Sequence, residues 1–451
     1  MLTNNLMQDE EVFYERLHQL LKPSAPIDTI EHLWGREEQL NEIKRALYAH
    51  GRHAFILGDR GVGKSSLAQT TAYAIQSSDN TPVIVTCDHQ STLSSIILKA
   101  LKAAINSVDF REHATKLQLK LPFLTYELSS SVSKKPTFPE SIDIQDAAFA
   151  LINLSDWHST KPVIVIDEFD LMPDEERRNF GVLLKQLGDQ HAKVKLIFTG
   201  IGQSLDSLMS GHLSSFRQLH QVKLDVLDWS ARFKIIETAF DAFDVSLPEE
   251  IKYKIAGLSD GFPSYIHLIC EKLLTRAYFS RDEIDQITFP LFIQALDDAI
   301  NSVTETLRKS YDKATDGKPE HMHHILWAMA DSSDLQRKTD HITYSYEAIT
   351  NQLRIPSLEA KAFKREFDKL RNSSHGEIIK RAFDNRPGWF AFSENVIRGF
   401  IRMCAEKNKV ELDFERAFSP ITATARPTGP RSNYQPLNQV ERDADHMRKK
   451  Y

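Results

Sequence analysis

The protein is a chain of 451 residues, long enough for about three domains at roughly 150 residues each. It carries 56 basic and 62 acidic side chains, and the net charge of −6 excludes a uniformly basic chromatin-type protein but not a local basic patch. Hydrophobic residues make up 41% and charged residues 26% of the chain, which is typical of a folded protein rather than a disordered one.

The cysteines and the apolar runs predict a cytoplasmic location. Cys87, Cys270 and Cys404 lie far apart and form no CxxC pair, so neither a disulfide framework nor a structural zinc site is expected. No apolar run approaches the ~20 residues that span a bilayer. The polar, acidic N-terminus also differs from a signal peptide, which is basic and then apolar.

The first half of the chain predicts a parallel α/β sheet. Residues 1–30 are expected to hold one amphipathic helix and a linker, because Pro23 and Pro26 break the helical pattern. Over residues 31–225, apolar strand-like runs alternate with helical stretches, as in a sheet covered by helices on both faces. The clearest strands are predicted at residues 54–58, 82–87, 162–167 and 195–200. An alternating stretch at about 115–135 indicates a possible inserted β-hairpin.

The second half of the chain changes character twice. Residues 226–310 are helical throughout and predict an all-α unit. Residues 311–412 contain three short helical patterns and then two strand-like segments separated by the sequence DNRP, which is the element order of a winged helix. Residues 413–451 show no periodicity, and we expect a mostly disordered tail.

A phosphate-binding loop is the strongest chemical signal. The sequence GDRGVGKS matches GxxxxGK[ST], follows a predicted strand and opens a predicted helix, a context that argues against a chance glycine turn. Backbone N–H groups of such a loop face phosphate oxygens, Lys64 reaches the β- and γ-phosphates, and the hydroxyl of Ser65 binds Mg²⁺. ATP and Mg²⁺ are therefore the expected ligands. The predicted nucleotide-binding residues of the loop are Gly58, Asp59, Arg60, Gly61, Val62, Gly63, Lys64, Ser65 and Ser66.

A second motif supplies two carboxylates. Asp167 and Glu168 follow the apolar run VIVI, about a hundred residues after the loop. Asp167 is placed to hold the hydration shell of Mg²⁺, and Glu168 to act as the general base that polarises the attacking water. The alternative is a solvated acidic turn. We interpret the nearby Asp170 as an ordinary turn residue.

These motifs resemble the AAA+ ATPases. The strand KLIFTG ending in Thr199, the upstream Trp34-Gly35-Arg36-Glu37, and the helical and winged-helix segments add to the resemblance, which covers about residues 25–410. Within AAA+ proteins the chain is similar to the origin-recognition ATPases of archaea and eukaryotes and to the STAND-type prokaryotic ATPases. The resemblance implies a P-loop parallel sheet, an all-α lid and a C-terminal winged-helix domain.

The resemblance also implies roles for further residues. It puts Thr199 near the γ-phosphate and the attacking water, although a strand-end threonine can also cap a turn. It puts Ile27, Trp34 and Arg36 beside the adenine, the alternative being a plain helix N-terminus. Arg217 lies where this family supplies an arginine to the nucleotide of a neighbouring subunit in an oligomer, and a solvated surface arginine is the alternative.

One segment departs from the origin-recognition pattern. Gly261-Phe262-Pro263 is followed by a helix without the arginine that origin-type ATPases often carry there. The segment resembles the STAND-type ATPases, in which Pro263 would begin a helix that faces the nucleotide. His267, one turn further, then contacts phosphate or is merely packed. This departure favours slow hydrolysis.

The predicted winged helix carries a local basic excess. Residues 360–409 hold 12 Lys and Arg against 6 Asp and Glu, which is typical of a phosphate-binding surface. The alternative is a solvated helix face in a winged helix that contacts protein. The candidate residues for binding double-stranded DNA are Lys361, Lys364, Arg365, Lys369 and Arg386.

The sequence leaves two functional hypotheses open. The first is an ATP-hydrolysing AAA+ protein that assembles as a homo-oligomer on DNA and regulates replication, transposition or phage defence. The second is a STAND-like switch that hydrolyses ATP slowly and docks a separate effector protein. Glu168 and Thr199 argue against a third, in which a pseudo-ATPase uses nucleotide only structurally.

Overall fold

A computed structural model defines the fold, with the elements numbered along the chain. It describes residues 9–23, 25–26, 33–76, 80–107, 125–126, 136–202, 205–206, 217–280, 285–382 and 386–416. The helices are α1 (Glu10–Leu20), α2 (Glu37–Tyr48), α3 (Lys64–Ile75), α4 (Leu93–Asn106), α5 (Ile144–Asn153), α6 (Asp174–Asp189), α7 (Trp229–Asp241), α8 (Glu249–Leu258), α9 (Pro263–Tyr278), α10 (Phe289–Ser302), α11 (Glu305–Thr315), α12 (His321–Ala330), α13 (Thr339–Leu353), α14 (Ala360–Lys369) and α15 (Ile397–Lys407). The strands are β1 (His53–Gly58), β2 (Val83–Thr86), β3 (Thr125–Tyr126), β4 (Pro136–Thr137), β5 (Val163–Asp167), β6 (Lys195–Gly200), β7 (Leu219–Leu224), β8 (Gln336–Lys338), β9 (Ile379–Arg381) and β10 (Trp389–Phe392). Among the residues described, no helix is both long and apolar enough to cross a membrane.

A five-stranded sheet in the order β2-β5-β6-β1-β7 organises the first half of the chain. Every pairing in it is parallel. Successive residues of β1 face opposite sides: Ala54 and Ile56 belong to one apolar core with α2 and α3, and Phe55 belongs to a second core with α4, α5 and α6. Both faces are therefore covered, and the prediction of a parallel α/β sheet is confirmed.

Two strand elements differ from the sequence expectation. The edge strand β7 was not predicted, because LHQVKL alternates between buried and exposed residues and lacks the continuous apolar run of the central strands. In the proposed hairpin insertion, β3 pairs antiparallel with β4. Most of the predicted hairpin, residues 115–124 and 127–135, lies outside the described residues.

Helices α7–α10 form the all-α unit that the sequence predicts, and α1 packs against it. The ring of Phe13 in α1 stacks on Tyr278 with centroids 4.1 Å apart and lies 5.3 Å from the ring of Phe243. Leu17 and Leu21 are also buried in this core. These contacts fix α1 against the helical unit, and they therefore also fix the position of the residues that follow α1.

Residues 305–416, which we call the C-terminal subdomain, hold α11–α15 and a small antiparallel sheet in the order β8-β10-β9. From α12 the elements run helix, strand, helix, helix, strand, strand, and they are followed by α15. The three helices and two strands expected from the sequence are present. Strand β8 and helix α15 were not predicted, β8 because three residues carry too little periodicity.

The expected tail begins later than predicted. Residues 413–416 were assigned to it, but Phe414 is buried against Gly257, and Arg416 forms an ion pair with Asp331 at 2.6 Å. These contacts make residues 413–416 part of the folded unit that ends at Arg416. Residues 417–451 lie outside the described part of the chain.

A buried ionic cluster joins α15 to the helical unit. The guanidinium groups of Arg398 and Arg402 lie 2.9 and 3.0 Å from the carboxylate of Asp260, and both arginine side chains are only 1% exposed. Arg402 also donates to the carbonyls of Gly257, at 2.7 Å, and Ser332, at 2.7 Å. The basic excess counted from the sequence therefore includes two arginines that cannot reach a ligand, because their side chains are buried and paired with Asp260.

Replacing Arg402 with alanine is expected to lower the free energy of unfolding by about 3 kcal/mol, since several buried acceptors lose a charged donor. The measurement is urea denaturation followed by circular dichroism. Lys407→Ala is the control, because Lys407 lies on the same helix and pairs with Asp297 at the surface, where an ion pair contributes about 0–1 kcal/mol. Equal small losses in the two variants would contradict a structural role for Arg402.

Candidate nucleotide-binding site

The phosphate loop joins β1 to α3 in the conformation that its glycines allow. Gly61 and Gly63 have φ values of +83° and +95°, in the left-handed region that favours glycine. Gly63 is the N-cap residue of α3 and offers no side chain, so the first N–H groups of the helix are left for another acceptor. The loop thus presents a helix N-terminus suited to an anion.

Lys64 lies at the mouth of this loop. Its ammonium donates to the carbonyls of Gly58, at 3.0 Å, and Asp59, at 2.8 Å. Burial lowers the pKa of Lys64, and the nearby carboxylates of Asp170, Asp167, Asp59 and Glu168 oppose that shift. The cation is therefore held among acidic groups, where a phosphate can compete for it.

Asp167 connects three strand ends. It lies at the end of β5, and its Oδ1 accepts a hydrogen bond from the hydroxyl of Ser65 at 2.9 Å and another from the hydroxyl of Thr199, which lies near the end of β6. The serine hydroxyl and the carboxylate are oxygen donors of the kind that Mg²⁺ prefers. The pair Ser65 and Asp167 fits the predicted metal site, and the hydroxyl of Thr199 holds the carboxylate in place.

Glu168 has an unusual backbone for a non-glycine residue, with φ at 53°. Its N–H donates to Thr199 Oγ1 at 3.1 Å and to Asp167 Oδ1 at 3.1 Å. These bonds hold the strained turn that separates the two carboxylates: Asp167 is buried and Glu168 is exposed. An exposed carboxylate beside the cavity is able to accept a proton from water.

A cavity of about 420 Å³ collects these side chains. Its lining includes the following predicted residues: Arg60, Gly61, Gly63, Lys64, Ser65, Ser66, Asp167, Glu168, Thr199, Pro263 and His267. Pro263 begins α9, and a Cβ added to Gly63 would lie 3.9 Å from its ring. The helical unit thus closes one side of the cavity directly over the phosphate loop.

The side chain of Arg36 packs behind the phosphate loop. It is 6% exposed, and its guanidinium donates to the carbonyls of Val62, at 3.1 Å, and Asp225, at 2.6 Å. Burial lowers its pKa, and Asp225 and Asp228 oppose that shift. Arg36 therefore supports the phosphate loop from behind, and its side chain is not part of the cavity wall that the described residues form. The position of this segment beside the adenine stays a prediction.

Five more of the predicted residues do not line the cavity as far as the described residues define it. Gly58 and Asp59 precede the glycine turn, Val62 is buried in the core, and Trp34 is half-buried beside Lys234. Arg217 is exposed just before β7. Its contact with the nucleotide of a neighbouring copy stays a prediction. Ile27 lies outside the described residues.

The segment after α1 also lines the cavity, which the sequence did not predict. Lys22, Pro23, Ala25 and Pro26 line the cavity, because α1 is anchored on the helical unit and directs the chain across the opening. From the sequence, Pro23 and Pro26 predicted the end of a helix but not a part in the cavity wall. Asp170, interpreted as a turn residue, also lines the cavity, as do Leu171, Ile201 and Ser264.

The basic residues of α14 are not equivalent. Lys361, Lys364 and Arg365 are exposed, as is Arg386 before β10. Lys369 lies 2.7 Å and Arg365 3.2 Å from Glu366, whose pKa is lowered to about 2 by the hydrogen bond from Lys369 and further by Arg365 and His321. Glu366 therefore neutralises part of the charge on this face, and Lys361 and Lys364 carry most of what is displayed.

One family model and several solved structures are similar to this chain. The AAA ATPase domain family matches residues 32–197, and no curated protein matches the chain. The fold is similar to a Walker-type ATPase of Pyrococcus abyssi, with a TM-score of 0.50 and 16% identity over 84% of this chain and 99% of that one.

Two further solved structures align with lower scores. Cdc6p from Pyrobaculum aerophilum has a TM-score of 0.42 and 15% identity, with 86% of this chain and 98% of that chain covered. The Aeropyrum pernix ORC1 protein in complex with DNA has a TM-score of 0.43 and 16% identity, with 87% and 96% covered. The resemblance to AAA+ ATPases that the sequence predicts is confirmed by the AAA ATPase domain match over residues 32–197 and by the similar fold.

Proposed function

We propose that the protein binds and hydrolyses ATP and uses the nucleotide to control its assembly on double-stranded DNA. The observation that carries the nucleotide part is the convergence of Lys64, Ser65, Asp167, Glu168 and Thr199 on one cavity. Each of these side chains has a distinct task in phosphoryl transfer to water.

In this proposal the loop and Lys64 bind the phosphates. Ser65 and Asp167 would hold Mg²⁺, which would supply positive charge to the phosphates. Glu168 accepts a proton from the attacking water. Thr199 fixes the positions of Asp167 and Glu168 relative to each other, because its hydroxyl donates to the carboxylate of Asp167 and accepts from the N–H of Glu168. Lys22 adds a further cation to the cavity.

The DNA part of the proposal rests on the C-terminal subdomain. Its order of helices and strands supports the winged-helix hypothesis, and in this proposal α14 is the helix that enters the major groove. Lys361 and Lys364 are exposed on this helix, with Arg365 and Lys369 partly neutralised by Glu366. Arg386 lies at the β9–β10 connection, where it can approach a minor groove. Regulation of replication, transposition or phage defence is the role that this combination suits.

A second candidate is a slow nucleotide switch that docks an effector protein. It is favoured by Pro263, which lines the cavity together with the phosphate loop, and by His267, instead of an arginine, on the helix that lines the cavity. In this candidate the helical unit, which forms one side of the cavity, moves when nucleotide is hydrolysed or released. The two candidates differ in whether DNA changes the rate of hydrolysis.

Glu168→Gln is expected to bind ATP as tightly as the unaltered protein but to hydrolyse it at least about 100-fold more slowly, because the amide cannot accept the proton. Binding is measured with a fluorescent ATP analogue and turnover by phosphate release. Glu175→Gln, an exposed glutamate in the first turn of α6, is the matched control and should leave both quantities unchanged. Retained turnover in Glu168→Gln would mean that another residue is the base.

The double substitution Lys361→Glu/Lys364→Glu is expected to weaken binding to duplex DNA at least tenfold and to flatten its dependence on salt, since phosphate contacts are lost. Fluorescence anisotropy at several salt concentrations measures both effects. Lys99→Glu/Lys102→Glu is the control, with the same charge change and spacing on α4 of the sheet domain. If the two double variants bind DNA equally well, α14 is not the DNA-binding helix.

A further inference from the structure

The N-terminal end of α15 meets the phosphate loop. The side-chain amide of Asn395 donates to Asp59 Oδ2 at 2.7 Å. The next residue, Val396, packs on the loop so closely that a Cβ added to Gly61 would lie 3.1 Å from its methyl group. The C-terminal subdomain therefore contacts the loop at two consecutive positions, one polar and one apolar.

Helix α15 is held rigidly where it makes these contacts. Arg398 and Arg402, one and two turns further along, form the buried ion pairs with Asp260. Gly399 allows the helix to pack directly on α9, since a Cβ there would lie 2.5 Å from the ring of Tyr265. Three residues after Asp260 the chain reaches Pro263, which lines the cavity. The turn at residues 260–263 therefore does two things. Asp260 holds α15, and with it Asn395, while Pro263 lines the nucleotide site.

Asp59 interacts with both Asn395 and Lys64, the lysine of the phosphate loop. Its carbonyl accepts from the ammonium of Lys64 at 2.8 Å, while its carboxylate is turned towards Asn395. The carboxylate is not part of the cavity wall as the described residues form it. A carboxylate free to turn from this position towards the cavity would repel a triphosphate and compete for Lys64. Holding it outside is a condition for tight binding of the nucleotide.

We propose that Asn395 is a positioning residue for the phosphate loop, which keeps the Asp59 carboxylate out of the nucleotide cavity. The inference rests on the proposed binding of ATP and deepens it, because nucleotide affinity then depends on how the C-terminal subdomain is seated. By linkage, a ligand of that subdomain that shifts α15 changes the affinity for ATP, and ATP changes the affinity for that ligand by the same factor.

A double-mutant cycle tests the proposal with full-length protein and fluorescent analogues of ATP and ADP. Asn395→Ala is expected to weaken binding of the ATP analogue about fivefold and binding of the ADP analogue less, because the triphosphate carries more charge. In the Asp59→Asn background the carboxylate is absent, so adding Asn395→Ala should change the ATP affinity less than twofold. A purely structural role for Asn395 would give the same loss in both backgrounds and would overturn the proposal.

Asn408→Ala is the matched control, since Asn408 caps the opposite end of α15 and bonds only within the last turn, to Cys404 at 2.7 Å among the described residues. Its ATP affinity should equal that of the unaltered protein. If the unaltered protein binds ATP and Asn395→Ala binds it equally well, only the positioning role fails. If the unaltered protein binds no ATP, the proposed function fails as well.

Discussion

The candidate site depends on the hydrogen bonds that the buried carboxylate of Asp167 accepts from Ser65 and Thr199. A buried carboxylate is costly unless donors satisfy it, and here the donors come from Ser65 after β1 and Thr199 in β6. These bonds are possible only because β1, β5 and β6 are parallel neighbours whose carboxyl ends meet at one edge of the sheet. The fold therefore brings together the hydroxyl of Ser65 and the carboxylate of Asp167, which lie about a hundred residues apart in the sequence.

The second constraint is the way charged groups are buried around the loop. Arg36 donates to carbonyls of the loop and of the segment after β7, and Arg398 and Arg402 neutralise Asp260 beside the turn that leads to Pro263. These buried guanidinium groups are tolerated because each finds acceptors, and removing one partner leaves others unsatisfied. As a result, the sheet domain, the helical unit and the C-terminal subdomain share one junction at the phosphate loop.

Much of this arrangement could be predicted from the sequence. The loop, the Asp-Glu pair and the central strands are local patterns, in which residue type and spacing determine the structure. Arg36 could not be assigned in this way, because whether an arginine faces a ligand or a backbone carbonyl depends on tertiary packing. The same holds for Arg398 and Arg402, which were counted as basic surface and proved to be buried. Lys22 was missed because its neighbours in space belong to distant segments.

The central claim is that one chain joins an ATP-hydrolysing site to a DNA-binding subdomain. Steady-state ATP turnover of the purified protein, measured with and without duplex DNA, tests this claim most directly. If the site and the subdomain are coupled, DNA stimulates turnover several-fold, and Lys64→Ala abolishes turnover in both conditions. Slow turnover that is the same with and without DNA would contradict the DNA-assembled ATPase and favour a switch that acts on a protein partner.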